Sequence, residues 1–175
     1  LTLLSIARNA ISKNFSIDPR PVLPHPELSR QAATFVTLTQ DGQLRGCIGS
    51  LKAYRPLAAD VAENAVSAAF RDPRFKALAA NELERTRIEV SLLEDPEPIE
   101  FENEADALGH LCPGVDGLIL TYGSQRATFL PQVWESLPEP QRFLQQLKLK
   151  AGLPADFWDE RITLSCYGVQ KWKEE

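Results

Sequence analysis

The sequence predicts an α+β fold, with antiparallel sheet covered by helices. Three observations carry this. Runs rich in β-branched and apolar residues come in pairs joined by short Gly-containing turns, at 35–49 and 117–130. Two longer stretches, 56–70 and 140–150, place apolar residues at helical spacing. The regular strand–helix–strand alternation of a parallel sheet is absent. At 175 residues, 43% apolar and 25% charged, the composition is that of an ordinary globular chain. A chain of this length buries roughly 70% of its unfolded surface, so folding needs no metal or disulfide staple.

The elements follow in order. Leu4, Ala7, Ala10 and Ile11 share one face of a helix running from Thr2 to about Lys13. Asp18-Pro19-Arg20-Pro21 and Pro24-His25-Pro26 then enforce an extended loop, because each Pro disfavours helix in the residue before it. Phe35-Val36-Thr37-Leu38-Thr39 and Leu44-Arg45-Gly46-Cys47-Ile48-Gly49 flank Asp41-Gly42, a hairpin signal. Pro56 opens a helix with Leu57, Val61, Ala65, Val66 and Ala69 inward, and Asp72-Pro73 stops it. Residues 81–85 form a short helical turn. In 87–92, period-2 alternation puts Ile88, Val90 and Leu92 on the core face, with Glu89 and Ser91 opposite. Asp95-Pro96-Glu97-Pro98 ends that strand, and an acidic helix runs from Glu102 to about Leu111.

A second hairpin follows over 117–122 and 126–130, around Gly123-Ser124. Pro131 opens a short helical stretch. Pro140 opens a longer helix with Phe143, Leu144 and Leu147 inward and Gly152 as its stop. The last strand, 161–166, points Ile162, Leu164 and Cys166 at the core, and Gly168 marks a bulge before Trp172. Residues 1–175 are expected to form a single domain of two packed lobes. One lobe is built around the hairpin and helix of residues 34–75.

Charge and composition exclude some functions. With 19 basic and 24 acidic side chains the net charge is −5, which argues against nucleic acid as the main partner. No run approaches 18 apolar residues, so no membrane-spanning helix is expected. Residues 1–8 lack the basic head, apolar run and cleavage site of a secretory signal. Cys47, Cys112 and Cys166 form an odd, sparse set, expected to be free thiols in a reducing, cytoplasmic compartment.

The most unusual segment is Leu44-Arg45-Gly46-Cys47-Ile48-Gly49-Ser50. Two glycines three apart weaken a strand and signal a bend or a close backbone approach. Beside Cys47, the Arg45 guanidinium is placed to lower the thiol pKa, and the backbone at Gly46 and Gly49 offers amides to an anion. The competing reading is a small buried cysteine in a sheet corner with Arg45 in solvent; free Cys is among the most buried residue types. Catalysis by Cys47 needs a base. His25 reads as a solvated loop residue. His110, Cys112 and Cys47 lack the paired C-x2-C spacing of a zinc site, so no metal or other cofactor is expected. Glu89 and Asp116 remain as candidate bases, against bland readings as a solvated strand residue and a turn residue held by its glycines. Phe70-Arg71-Asp72-Pro73-Arg74-Phe75 follows the helix end, where cations are favoured, and Arg71 could form an anion-binding rim with Arg45. No phosphate loop, Gly-x-Ser-x-Gly elbow or His-Glu-x-x-His helix is present.

Taken together, these segments resemble a known family. Leu44-Arg45-Gly46-Cys47-Ile48-Gly49 is similar to the signature hexapeptide of the AMMECR-one domain family. The likeness continues through Tyr54-Arg55-Pro56-Leu57, 68–75, 88–93, 114–119, 129–134 and Lys150-Ala151-Gly152-Leu153, in order along nearly the whole chain. The resemblance implies two unequal α+β lobes built on antiparallel sheets flanked by helices. It also implies a likeness to protein A of the AmmeMemoRadiSam system, with a Memo-like protein and a radical SAM protein as partners. This chain has no C-x3-C-x2-C triplet and so is not itself the radical enzyme. The family motif points to Arg45, Gly46, Cys47 and Gly49, and more weakly to Glu89. Many relatives carry histidine where this chain has Asp116, a departure that weakens a general Cys–His dyad.

Two functions stay open. The favoured one is a non-enzymatic partner or adaptor binding through the hexapeptide. The other is a thiol-dependent enzyme or carrier, with Cys47 as nucleophile, Arg45 as thiolate stabiliser and Glu89 or Asp116 as base.

Overall fold

The computed structural model describes residues 2–175; Leu1, where the segment read for a leader begins, lies outside them. The chain runs through α1 (Thr2–Ser12), β1 (Gln31–Ala32), β2 (Thr34–Gln40), β3 (Gln43–Gly49), β4 (Arg55–Pro56), α2 (Leu57–Phe70) and β5 (Thr86–Leu93). It continues through β6 (Glu97–Ile99), α3 (Glu104–Gly109), β7 (Gly117–Tyr122), β8 (Gln125–Phe129), α4 (Pro140–Lys150), β9 (Thr163–Tyr167) and β10 (Val169–Lys173). Two units result. The first comprises residues up to Leu93 together with Gln170–Glu175, and the second Glu94–Val169. Residues 34–75 fall inside the first. Each unit is α+β, with an antiparallel sheet and its own helices. No helix among the described residues is long and apolar enough to cross a membrane.

In the first unit, Asp41 and Gly42 take φ of 51° and 78°. Two successive positive φ values give the turn whose twist matches a two-residue hairpin, and it folds β2 onto β3. The sheet order is β10-β5-β2-β3, so β3 is an edge. Val36, Leu38, Ile88 and Val90 point to one face and are fully buried. Leu4, Ala7 and Ile11 of α1 and Val61, Ala65 and Ala68 of α2 complete that core. In the second unit the order is β6-β9-β7-β8. Phe143, Leu144 and Leu147 of α4 are fully buried against it, with Trp134 stacked on Phe143 at 3.7 Å.

Several elements differ from expectation. Pro56 stands one residue before α2, where it pairs with Gln31 across the β1–β4 ribbon. Asp95-Pro96-Glu97-Pro98 does not simply end a strand, because β6 forms there and pairs only with β9. Such an edge tolerates Pro98, whose missing N–H no partner requires. The acidic helix is shorter than expected and is capped by Asn103, whose side chain accepts the Asp106 N–H at 3.0 Å. Gly168 is not a bulge but the step between β9 and β10, which belong to different sheets. Cys166 is half-exposed rather than core, near the end of β9, where Leu164 is the last fully apolar core position.

Candidate functional site

The hexapeptide lies on β3, and the structure gives each of its glycines a packing reason. Gly46 faces the core. A Cβ there would stand 2.2 Å from the carbonyl oxygen of Ala68, so only glycine lets β3 approach α2 this closely. Gly49 faces the other way, opposite Phe35 of β2, and a Cβ would enter the Phe35 ring at 2.2 Å. These are close-approach positions rather than an anion cradle.

The register shifts between Leu38 and Thr39. Leu38 faces Gly46 and Thr39 faces Leu44, which leaves Arg45 as the extra residue of a bulge. A bulge re-aims its side chain. Arg45 accordingly turns to Glu82, donating through Nε at 3.0 Å and Nη2 at 3.1 Å. Its Nη1 is buried with no hydrogen-bond partner among the described residues, and the Phe75 ring lies 5.9 Å from its Cζ. The Arg45 guanidinium, with the Ala79 N–H, holds the Glu82 carboxyl down at about 2. Arg45 is thus committed to Glu82 and is not the thiolate stabiliser the sequence suggested.

The arginine that acts on Cys47 is Arg74. As an edge residue, Cys47 turns its own N–H and C=O away from β2. Asp72 Oδ2 accepts the N–H at 2.9 Å, and Arg74 Nη2 donates to the C=O at 3.2 Å. Arg74 also forks onto Asp72, with Nε to Oδ1 at 3.0 Å and Nη2 to Oδ2 at 2.7 Å. The carboxylate and guanidinium take the place of a neighbouring strand and close the edge at this point. The Arg74 hydrogen bonds, with the Cys47 and Arg74 N–H groups, hold the buried Asp72 carboxyl well below the usual carboxylate range. An internal carboxylate therefore already occupies the amide of Cys47 that an external anion would use.

The thiol itself is shielded. Thr37 Oγ1 donates to its sulfur at 3.3 Å. Burial raises the Cys47 pKa above its ordinary 9.0; the Thr37 hydrogen bond and the Arg74 charge oppose this without reversing it, and Asp72 and Glu89 push further upward. Thr37 faces Cys47 on one side and Glu89 on the other, so the three form a row across β3, β2 and β5. Strands lie about 4.8 Å apart, which puts Glu89 two spacings from Cys47 with Thr37 between them. Glu89 instead stands 3.7 Å from Lys171. It repels the thiolate and is not placed as its base.

The other candidates are elsewhere. Asp116 belongs to the second unit, where its Oδ2 accepts the Cys112 N–H at 2.7 Å and its carbonyl accepts the Trp134 indole N–H at 2.7 Å. That is the turn role, made by side chain and backbone together. Arg71, just past the end of α2, pairs with the exposed Glu63 at 2.6 Å, while Arg45 pairs with Glu82. His25 caps a short helical turn by accepting the Glu27 N–H, and His110 lies 3.6 Å from Asp106. Among the described residues no group of three or more His, Cys, Asp or Glu is placed to hold a metal.

A second polar cluster adjoins the end of β3 and escaped the sequence reading. Asp60 is fully buried on α2. Its Oδ2 accepts from the Thr34 N–H and Oγ1 at 2.8 and 2.7 Å and from Asn64 at 3.0 Å. Its Oδ1 accepts from Ser50 Oγ and Arg55 Nε, both at 2.7 Å. Asn64 also donates to the Thr34 carbonyl at 2.9 Å. One signal was available: Asp60 and Asn64 are four apart and fall within the apolar stripe of α2, which a solvated pair would avoid. Asp72 and Arg74 carried a weaker one, as an oppositely charged pair bracketing Pro73.

Comparison with known proteins places the chain in a family. The AMMECR1 family model matches residues 4–172. A protein of Methanothermobacter thermautotrophicus is 39% identical over 99% of this chain and 93% of its own length. One from Thermotoga maritima is 33% identical over 97% and 94%. The crystal structure of the uncharacterised Pyrococcus horikoshii protein PH0010 superposes with a TM-score of 0.85 at 34% identity, covering 99% of this chain and 90% of that one. The bulged edge strand, its two close-packed glycines and the clamped cysteine are therefore those of a chain that belongs to the AMMECR1 family.

Proposed function

We propose that this protein is a non-enzymatic partner, an adaptor of the AmmeMemoRadiSam type. It binds a Memo-like protein and a radical SAM protein through the surface built on β3. One observation carries the reading: Asp72 and Arg74 fix the backbone of Cys47 while its thiol is half-buried, held by Thr37 and raised in pKa. The segment is held as a shape, and the hydrogen-bond partner of the sulfur is the Thr37 hydroxyl, which donates to it and is not a base. Apolar side chains flank it at both ends of the strand, with Leu44, Leu51 and Tyr54 exposed. Exposed aromatic and aliphatic groups beside a rigid strand suit a protein contact.

Co-purification of the chain with each of the two proteins tests this. Cys47→Ser is expected to leave binding within about twofold, because the backbone clamp needs no sulfur. Leu44→Asp or Leu51→Asp, which place a charge in the contact, are expected to weaken it at least tenfold, about 1.4 kcal/mol. Absence of a complex with either protein would overturn the reading. So would a Cys47→Ser variant that still folds but loses all binding, which is the result the thiol-dependent enzyme or carrier predicts.

A further inference from the structure

We propose that residues 18–26 form a preformed docking strap for a protein module whose groove is lined by aromatic rings and reads proline-rich chain. The segment is Asp18-Pro19-Arg20-Pro21-Val22-Leu23-Pro24-His25-Pro26. Residues 17–25 carry no helix or strand, and all of residues 16–27 are exposed. Four prolines fix their own φ near −65°. The residue before each of them, Asp18, Arg20, Leu23 and His25, is pushed to extended conformations. Val22 alone escapes both restraints.

The fold anchors this segment at two points. Asn9 of α1 grips the Arg20 backbone from both sides, its Oδ1 accepting the N–H at 2.7 Å and its Nδ2 donating to the C=O at 2.8 Å. At the other end His25 is extended, with φ −144° and ψ 135°, and its Nδ1 accepts the Glu27 N–H at 3.2 Å. Between the anchors, the side chains of Val22 and Leu23 are left to solvent, Leu23 at 71% exposure. A loop that only connected two elements would gain nothing from a large aliphatic group held out on a stiffened backbone.

The spacing decides the partner class. In polyproline II geometry, with three residues per turn, Pro21 and Pro24 would share a face, and Arg20 and Leu23 the next. Arg20-Pro21 and Leu23-Pro24 are thus two X-Pro steps in register, the repeat that aromatic-lined grooves accept. Because four prolines and the two anchors already restrict the backbone, less conformational freedom is lost on binding. The strap is distinct from the β3 surface and does not rest on the adaptor reading.

The test is a titration of the isotope-labelled full chain with a purified SH3 domain, followed by amide NMR. Saturable shifts are expected in the amides of Asp18, Arg20, Val22, Leu23 and His25, the prolines having no N–H to report. Leu23→Ala and the double variant Pro21→Ala/Pro24→Ala are expected to weaken binding at least about tenfold, while Leu44→Asp leaves it unchanged. These positions are exposed, and unperturbed amide spectra outside the strap verify that the variants fold. No shift in residues 18–26 at about 1 mM SH3 domain would overturn the proposal, as would undiminished binding by the double variant.

Discussion

Asp60→Ala is expected to be the most damaging single polar substitution in the first unit, costing about 4 kcal/mol in urea unfolding. The carboxylate is fully buried and accepts five hydrogen bonds, from the Thr34 N–H and hydroxyl, Ser50, Arg55 and Asn64. Truncation takes the acceptor from the Thr34 N–H and hydroxyl and from Ser50 at once, and the Arg55 guanidinium loses its counter-charge, while Asn64 keeps the Thr34 carbonyl. Leaving buried donors unpaired costs more than the original bonds contribute. Asp60→Asn keeps an acceptor oxygen for part of the set and is expected to lose about half as much. Equal losses would show that charge, rather than hydrogen-bond geometry, holds the network. A loss below about 1 kcal/mol for Asp60→Ala would mean that water replaces the carboxylate without penalty.

Gly46→Ala is expected to cost about 3 kcal/mol, an unusual figure for adding one methyl group. The new Cβ would lie 2.2 Å from the backbone oxygen of Ala68 in the last turn of α2, and neither helix nor strand can move without opening the core between Val61, Ala65 and Val36. Gly49→Ala makes an equally short contact, but with the Phe35 ring, which can rotate away on the half-buried outer face. It is expected to cost about half as much. Thermal melts of the two variants give the comparison. If Gly49→Ala proves the worse of the two, Phe35 and not α2 sets the geometry of the hexapeptide.

What could be read from the sequence follows from how local each signal is. Asp41-Gly42 and the alternation around Ile88 and Val90 depend only on neighbours in the chain, so both hairpins and the core faces were legible. So were the stops at Asp72-Pro73 and Gly152. The short strands β1, β4 and β6 were not, because each is defined by a partner distant in sequence rather than by its own residues. The site was legible in its location and not in its chemistry. Cys47 between two glycines marked β3 as special. However, the bulge that sends Arg45 to Glu82 depends on the register against β2, and no pattern within residues 44–49 reports it. Asp72 and Arg74 replaced Arg45 and Arg71 as the charges at the cysteine for the same reason. Their role comes from lying against an open sheet edge, which only the strand order reveals.

The most direct test of Cys47 as a fixed, shielded element is its rate of iodoacetamide labelling against pH, read by peptide mass spectrometry with exposed Cys112 as the internal control. Alkylation requires the thiolate. With its pKa above 9.0, raised by burial, Cys47 is protonated at neutral pH. It is expected to label far more slowly than Cys112 there, with a rate that climbs with the thiolate fraction and levels off only at a higher pH than an ordinary thiol's does. A Cys47 that labels faster than Cys112 at neutral pH, with its inflection below the ordinary thiol range, would contradict this and make the strand a site built to hold a nucleophile.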